Sequence, residues 1–199
     1  MKLLIGVPCL DQINVSFVRC LLGLTDRLRR DGIEHEVMLA SGCLVYLARE
    51  KITERAVKGG FSHVLWIDSD MVFAEDVLDK LAGVDQPLVC GLFRSRHEPY
   101  GYCVYDRVNH AVELVPKYPF KIAMCGFAGV LTETALLQAV AKANGGRCFT
   151  PTARFGEDFQ FCERARNVGA VLFCHPGAAF GHTGSIVVWP DRTPKTEAP

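Results

Sequence analysis

Two aspartates one residue apart follow an apolar segment in the middle of the chain. Val64 to Ile67 is followed by Asp68-Ser69-Asp70, which predicts a buried strand with acids at its carboxyl end, where open α/β sheets bind ligands. In strand geometry both carboxylates point to the same side, and their repulsion favours a divalent cation that bridges a diphosphate. We therefore predict a Mg²⁺ or Mn²⁺ site. The alternative is that the acids only end a strand and cap the next helix.

A second acidic pair, Glu157-Asp158, follows Gly156 at the predicted start of a helix. Acids in a first turn complement the helix dipole by about 0.3–1 kcal/mol each, which is the purely structural interpretation. Gly156 would also let the backbone bring one carboxylate to the sheet edge, where it could accept the proton of an acceptor hydroxyl. We expect Asp158 to be this base and Glu157 to orient the loop or the acceptor, although the sequence leaves open which acid is the base.

A histidine flanked by glycines, in Gly181-His182-Thr183-Gly184, lies beyond the last predicted strand. Flexible glycines would let this histidine fold over a site, and an imidazole added to carboxylate and phosphate oxygens suits Mn²⁺. We predict His182 as a third metal ligand. The alternative is a structural or surface histidine.

Strands and helices that could position these residues alternate over the first half of the chain. Apolar runs and helical spacing of apolar residues predict strands at 3–7, 36–40, 64–67 and 88–92, with helices at 15–30, 44–57 and 74–81 between them. This order indicates an α/β fold with a mostly parallel central sheet flanked by helices.

The pattern changes after Arg94. Short strands at 100–105 and 112–115, around Asn109, predict a small β-hairpin lobe. Beyond it we expect a strand at 121–125, a close-packed turn at 126–129, helices at 132–143 and 157–168, and a last buried strand at 171–174.

Length, charge and cysteine usage exclude several classes of protein. The 199 residues predict one domain over 1–190 with a flexible tail at 191–199. The 22 basic and 22 acidic residues include no long basic run, so no nucleic-acid surface is expected. Nine cysteines without a C-x-x-C pair favour reduced thiols and the cytoplasm. No apolar run reaches the roughly 18 residues of a membrane-spanning helix, so any membrane association would be peripheral.

Together the motifs resemble those of GT-A fold glycosyltransferases, in particular the family 2 type and its short phage or bacterial relatives. The resemblance covers nearly the whole chain and rests on segments in a fixed order: Gly6-Val7-Pro8, Leu47-Ala48-Arg49, Trp66 to Met71, Cys125 to Gly129, Gly156-Glu157-Asp158 and Gly181-His182.

This resemblance implies a metal-dependent, inverting transfer of a sugar from a nucleotide-diphosphate donor, a UDP- or GDP-sugar, to a carbohydrate, lipid-linked or protein acceptor. It implies Asp158 as the base, with Glu157 beside it. The implied donor contacts are Pro8, Ser41, Arg49, Asp68, Ser69 and Asp70, and the implied metal ligands are Asp68, Asp70 and His182. The segment Cys9-Leu10-Asp11-Gln12 departs from the family's usual Thr-Tyr-Asn, so the donor nucleotide stays open.

Two rival functions fit parts of the pattern. The segment Ile67-Asp68-Ser69-Asp70-Met71-Val72 also resembles the first motif of haloacid-dehalogenase-like phosphatases, in which the first aspartate attacks phosphorus. That motif normally follows an early strand, whereas two strand-helix units precede it here. The other rival is a non-catalytic nucleotide-sugar binding module.

Overall fold

The computed structural model describes residues 1–10, 12–184 and 187–191, so of the predicted tail only Asp191 lies within the described residues. The elements follow in the order β1 (Lys2–Pro8), α1 (Val15–Arg30), β2 (Glu34–Ala40), α2 (Val45–Lys58), β3 (His63–Ile67), β4 (Met71–Phe73), α3 (Val77–Ala82), β5 (Leu88–Leu92), β6 (Val104–Arg107), β7 (His110–Ala111), β8 (Phe120–Ile122), β9 (Met124–Cys125), β10 (Gly129–Glu133), α4 (Thr134–Ala143), α5 (Glu157–Asn167), β11 (Leu172–Thr183) and β12 (Val187–Val188).

The central sheet is mixed but mostly parallel, and its strand order is β12-β11-β5-β10-β3-β1-β2. β1 pairs in parallel with β2 and β3, and β5 pairs in parallel with β11. β10 lies antiparallel between β3 and β5. The predicted α/β class with flanking helices is confirmed.

Two apolar cores lie on opposite faces of this sheet because successive strand residues point to opposite sides. In β3, Val64 and Trp66 belong to the core beneath α2, α4 and α5, whereas Leu65 and Ile67 belong to the core beneath α1 and α3. A strand buried on both faces therefore carries a continuous apolar run, which is why it could be recognised in the sequence.

A separate three-stranded sheet, β7-β6-β9, forms the small lobe. Asn109 occupies the hairpin turn with a φ of 63°, a conformation that asparagine tolerates better than most residues. The predicted hairpin is correct, but its strands cover 104–107 and 110–111 instead of 100–105 and 112–115. The predicted strand at 121–125 is divided, because β8 pairs with β11 and β9 pairs with β6.

The structure differs from the sequence-based expectation at three other places. Residues 129–133 form the strand β10, so the turn predicted at 126–129 ends early and α4 begins at Thr134 instead of Thr132. β4 was not predicted. β11 continues well past Pro176, because a register shift between His175 and Ala179 absorbs the proline and pairing resumes beyond it.

None of the helices in the described ranges is long and apolar enough to cross a membrane. All nine cysteines lie within the described residues, and no disulfide bond joins any two of them.

Candidate active site

A cavity of about 500 Å³ opens at the carboxyl ends of β1 and β3. Its apolar lining comes mainly from the loop after β1 and from the start of α2, and its charged lining comes from the segment after β3 and from Arg96. The described residues that line it are Pro8, Cys9, Leu10, Gln12, Ile13, Asn14, Cys43, Val45, Ala48, Asp68, Ser69, Asp70, Arg96 and Thr183.

The segment Asp68-Ser69-Asp70 is a turn between β3 and β4. The amide of Met71 donates to the carbonyl of Asp68 at 3.2 Å, so the strand alternation expected for the two carboxylates does not apply. Each carboxylate instead contacts a different arginine. Asp68 accepts from Arg49 at 3.1 Å, and Asp70 accepts from Arg96 at 2.8 Å.

His182 lies beside Asp70, with its Nε2 atom 3.2 Å from Oδ2 of Asp70. The amide and hydroxyl of Thr183 both donate to the backbone carbonyl of Asp70, at 2.8 and 2.7 Å. His182 was expected in a glycine-flanked loop beyond the last strand, but it belongs to β11 and pairs with Met71 of β4. Strand pairing, and not a flexible loop, positions the imidazole.

The other ring nitrogen of His182, Nδ1, lies 3.1 Å from the carbonyl of Arg94 and can donate to it. With Nδ1 donating to Arg94, a neutral imidazole would carry its lone pair on Nε2, where a metal ion could be bound, which is how metal-ligating histidines are usually oriented. A carboxylate and an imidazole fit Mn²⁺ or Mg²⁺ as a partial ligand set. Among the described residues, however, no group of three or more His, Cys, Asp or Glu side chains is arranged to hold a metal ion.

Without a metal, Asp70 and His182 stabilise each other's charged forms. Burial raises the pKa of Asp70, but the hydrogen bond and charge of His182, with Arg96, outweigh it and lower that pKa overall. Burial lowers the pKa of His182, and the Asp70 carboxylate reverses this and raises it.

Arg49 links Asp68 to the second acidic pair. Its side chain is only 2% exposed, and it donates to Glu157 at 2.8 Å as well as to Asp68. Burial raises the pKa of Asp68, and the attraction of Arg49 only partly offsets this.

Asp158 lies next to Glu157 in the first turn of α5, where its carboxylate accepts from the amide of Phe159 at 2.7 Å. Burial, opposed by the charge of Arg49 and reinforced by Glu157, raises the pKa of Asp158 to about 6. A carboxylate with this pKa is ionised at neutral pH and is a stronger base than an ordinary aspartate.

The predicted site residues are therefore only partly assembled around the cavity. Pro8, Asp68, Ser69 and Asp70 line it, and His182 contacts it through Asp70. Ser41 is exposed just after β2 and does not line it, and neither do Arg49, Glu157 and Asp158. The sequence did not single out the apolar lining of Ile13, Val45 and Ala48 or the part played by Thr183, whose nearest signal was its place next to His182.

Comparison with solved structures identifies the fold, whereas comparison of sequences finds no match. The sequence matches no protein-family model and no curated protein. Among solved structures, A197 from STIV is similar at 19% identity and a TM-score of 0.70 over 96% of this chain and 92% of that one.

Two glycosyltransferases are also similar. The catalytic domain of Drosophila β1,4-galactosyltransferase 7, in complex with xylobiose, has 11% identity and a TM-score of 0.55 over 100% of this chain and 76% of that one. GalNAc-T7 with UDP, GalNAc and Mn²⁺ has 9% identity and a TM-score of 0.59 over 92% of this chain, which spans 44% of that one. The chain therefore has the GT-A fold of glycosyltransferase catalytic domains.

Proposed function

We propose that this chain is a metal-dependent, inverting glycosyltransferase of the family 2 type, with residues 1–190 as one catalytic domain. The observation that carries the proposal is the cavity at the carboxyl ends of β1 and β3, which joins an apolar lining to Asp68, Ser69, Asp70 and Arg96. Such a cavity suits a nucleoside attached to a diphosphate, because the ring systems need apolar contact and the phosphates need cations.

Several residues of the chain would hold the donor. Pro8 and the loop after it, with Val45 and Ala48, would contact the nucleoside. Arg96 would bind phosphate oxygens, since a guanidinium matches their geometry. Asp70 and His182, with Asp68 nearby, would hold Mn²⁺ or Mg²⁺, which would neutralise charge on the departing diphosphate.

Asp158 would accept the proton of the acceptor hydroxyl as that oxygen attacks the anomeric carbon from the side opposite the diphosphate. Glu157 would orient this part of the site through its bond to Arg49.

The similarity to GalNAc-T7 with UDP and Mn²⁺ supports a nucleotide-sugar donor and a divalent cation. The acceptor class stays a prediction, as do the UDP- or GDP-sugar donor, the phage or bacterial type and the cytoplasmic location.

The test is release of nucleoside diphosphate from UDP- and GDP-sugars with Mn²⁺, with Mg²⁺ or with a chelator. We expect release that needs the cation and that Asp70→Ala abolishes. Asp26→Ala is the matched control, because Asp26 is an exposed acid paired with Arg29 on α1, away from the lining residues. Release that continues in the chelator would contradict the metal-dependent mechanism.

A nucleotide-sugar binding module without turnover is the second candidate, because Asp68 and Asp70 are each already ion-paired with an arginine. Thermal stabilisation by UDP or GDP with Mn²⁺, without release of either from its sugar, would favour it.

The phosphatase alternative needs Asp68 as a free nucleophile, whereas Arg49 holds that carboxylate. Phosphate release from p-nitrophenyl phosphate without donor cleavage would favour the phosphatase.

A further inference from the structure

Arg49 is almost fully enclosed, although it lies one residue from the cavity lining. Its side chain is 2% exposed, and its guanidinium carbon lies 5.4 Å from the ring centre of Phe127 and 6.0 Å from that of Phe149. So little exposed surface leaves almost nothing for a nucleotide to contact. The donor-contact role implied by the family resemblance therefore does not suit this burial.

The terminal nitrogens of Arg49 bond to carboxylates from two separate elements. Nη2 donates to Asp68, at the end of β3, and Nη1 donates to Glu157, at the start of α5. Asp68 lines the donor cavity, and Glu157 is the neighbour of Asp158. One buried side chain thus connects the donor side of the site to the acceptor side.

The carboxylates around Arg49 make its two ion pairs hard to reproduce with another side chain. Asp68, Glu157 and Asp158 place three carboxylates around one guanidinium, and Arg49 opposes the effect of burial on both aspartates. A buried charge that loses its partner is strongly destabilising. A lysine would keep the charge, but its single ammonium cannot reproduce two directed bonds to separate carboxylates.

We infer that Arg49 is a positioning residue that fixes the donor-side Asp68 against the acceptor-side Glu157-Asp158 pair and does not itself bind the nucleotide. The inference rests on the proposed function. Its loss should lower the rate of turnover more than donor affinity, because a guanidinium on a side chain only 2% exposed offers the donor almost no contact to lose, whereas the Glu157-Asp158 pair depends on it.

The experiment compares Arg49→Lys and Arg49→Gln with the wild type in the donor-cleavage assay. We expect kcat to fall by about 10²-fold, the usual effect of small misplacement in a site, while KM for the donor stays unchanged. Arg55→Gln is the matched control, because Arg55 is another ion-paired arginine of α2, bonded to Glu36 at 2.8 Å on the exposed side. It should keep the wild-type kcat and KM.

A second readout does not depend on turnover. NMR titration of the aspartate carboxyl carbons follows Asp158, which is faced by Arg49 from α2, Glu157 from α5, Cys125 from β9, and Cys103 and Tyr105 of the lobe. Removing the guanidinium in Arg49→Gln should raise the pKa of Asp158 above its value of about 6. If Arg49→Gln does not fold, Arg49→Lys decides the result through its kcat, because it keeps the charge and loses the two directed bonds.

The outcomes separate the two proposals. A raised donor KM with unchanged kcat would make Arg49 a nucleotide contact and overturn the inference. An unchanged kcat together with an unchanged Asp158 titration would overturn it as well. A wild-type protein that cleaves no nucleotide sugar would defeat the proposed function, while the titration would still decide whether Arg49 controls Asp158.

Discussion

Asp70 and His182 lie 112 residues apart in the sequence, and a carboxylate oxygen of one lies 3.2 Å from Nε2 of the other. The contact follows from backbone pairing, because β4 begins directly after Asp70 and pairs antiparallel with the end of β11. The two hydrogen bonds from Thr183 to the carbonyl of Asp70 fix the same junction. The geometry of this pair is therefore determined by strand register.

The first prediction concerns the titration of His182 without metal. In the wild type, Asp70 raises the pKa of His182 above its usual 6.5, against the opposing effect of burial. Asp70→Asn should therefore lower the pKa of His182, as followed by NMR of the ring protons. His63, at the opposite end of β3 from the cavity, is the internal control and should titrate as before.

The same pair makes stability depend on pH. The stabilisation from His182 is complete below pH 6.5 and is lost as the pH rises through its raised folded pKa. The stabilisation from Asp70 is present above its usual pKa of 3.8 and is lost as the pH falls through its lowered folded pKa. In thermal unfolding of metal-free protein, the stability difference between wild type and His182→Gln should be largest between these limits. A difference that does not vary with pH would contradict the linkage.

The second prediction concerns the proposed base. Asp158→Asn should reduce sugar transfer by about 10²- to 10⁴-fold, because the acceptor hydroxyl loses its proton acceptor. Donor binding should be unchanged, since Asp158 does not line the cavity. Glu163→Gln, on the same helix, is the matched control. In the wild type, transfer should increase with pH around a midpoint of about 6, and normal transfer by Asp158→Asn would exclude this residue as the base.

The third prediction concerns a buried hydrogen bond in the sheet. The indole N–H of Trp66 donates to the hydroxyl of Thr132 at 2.9 Å, and both residues are fully buried. Thr132→Val keeps the shape but leaves the indole donor unpaired, which should lower the free energy of unfolding by about 1–3 kcal/mol. Urea denaturation measures the change. Thr53→Val should cost less, because the Thr53 hydroxyl only adds a bond to a helical carbonyl.

The fourth prediction concerns the glycine at the start of β10. A Cβ atom at Gly129 would lie 2.6 Å from the ring of Phe180, and Phe180 precedes His182 by two residues on β11. Gly129→Ala should therefore destabilise the fold by about 1–3 kcal/mol. It should also weaken Mn²⁺-dependent nucleotide binding by displacing the strand that carries the imidazole. Gly101→Ala is the control, because nothing lies within 4 Å of its added Cβ. A stable Gly129→Ala variant would show that Phe180 can move aside.

The sequence was most informative where burial leaves a simple pattern. β1 and β3 carry apolar residues on both faces, and α1 and α2 carry apolar residues at helical spacing, so these elements were predicted close to their actual bounds. β10 was not predicted because the glycine-rich segment 126–129 at its start resembles a turn. Its last residues, Thr132 and Glu133, also lead directly into α4, so they were assigned to the helix or its start.

The candidate site was predictable in its residue types and not in its contacts. Asp68 and Asp70 could be singled out because they follow an apolar run. The Glu157-Asp158 pair could be singled out because it follows a glycine at a predicted helix start, and His182 because glycines flank its segment. The bonds of Arg49 join residues 19 and 108 positions away, and no local pattern encodes such distances. The turn at Asp68 to Asp70 could not be predicted either. It connects β3 to β4, and β4 forms only by pairing with the distant strand β11.

The length of β11 has a consequence for motion around the cavity. The strand starts between β5 and β8 in the interior and ends at His182 and Thr183, so one strand, with a single register shift between His175 and Ala179, belongs to both places. A backbone movement that carries the imidazole away must break the pairing with β4, so this segment cannot move as an independent loop. Amide protons at this rim should therefore exchange with solvent as slowly as those of a framework strand, far more slowly than those of a surface loop.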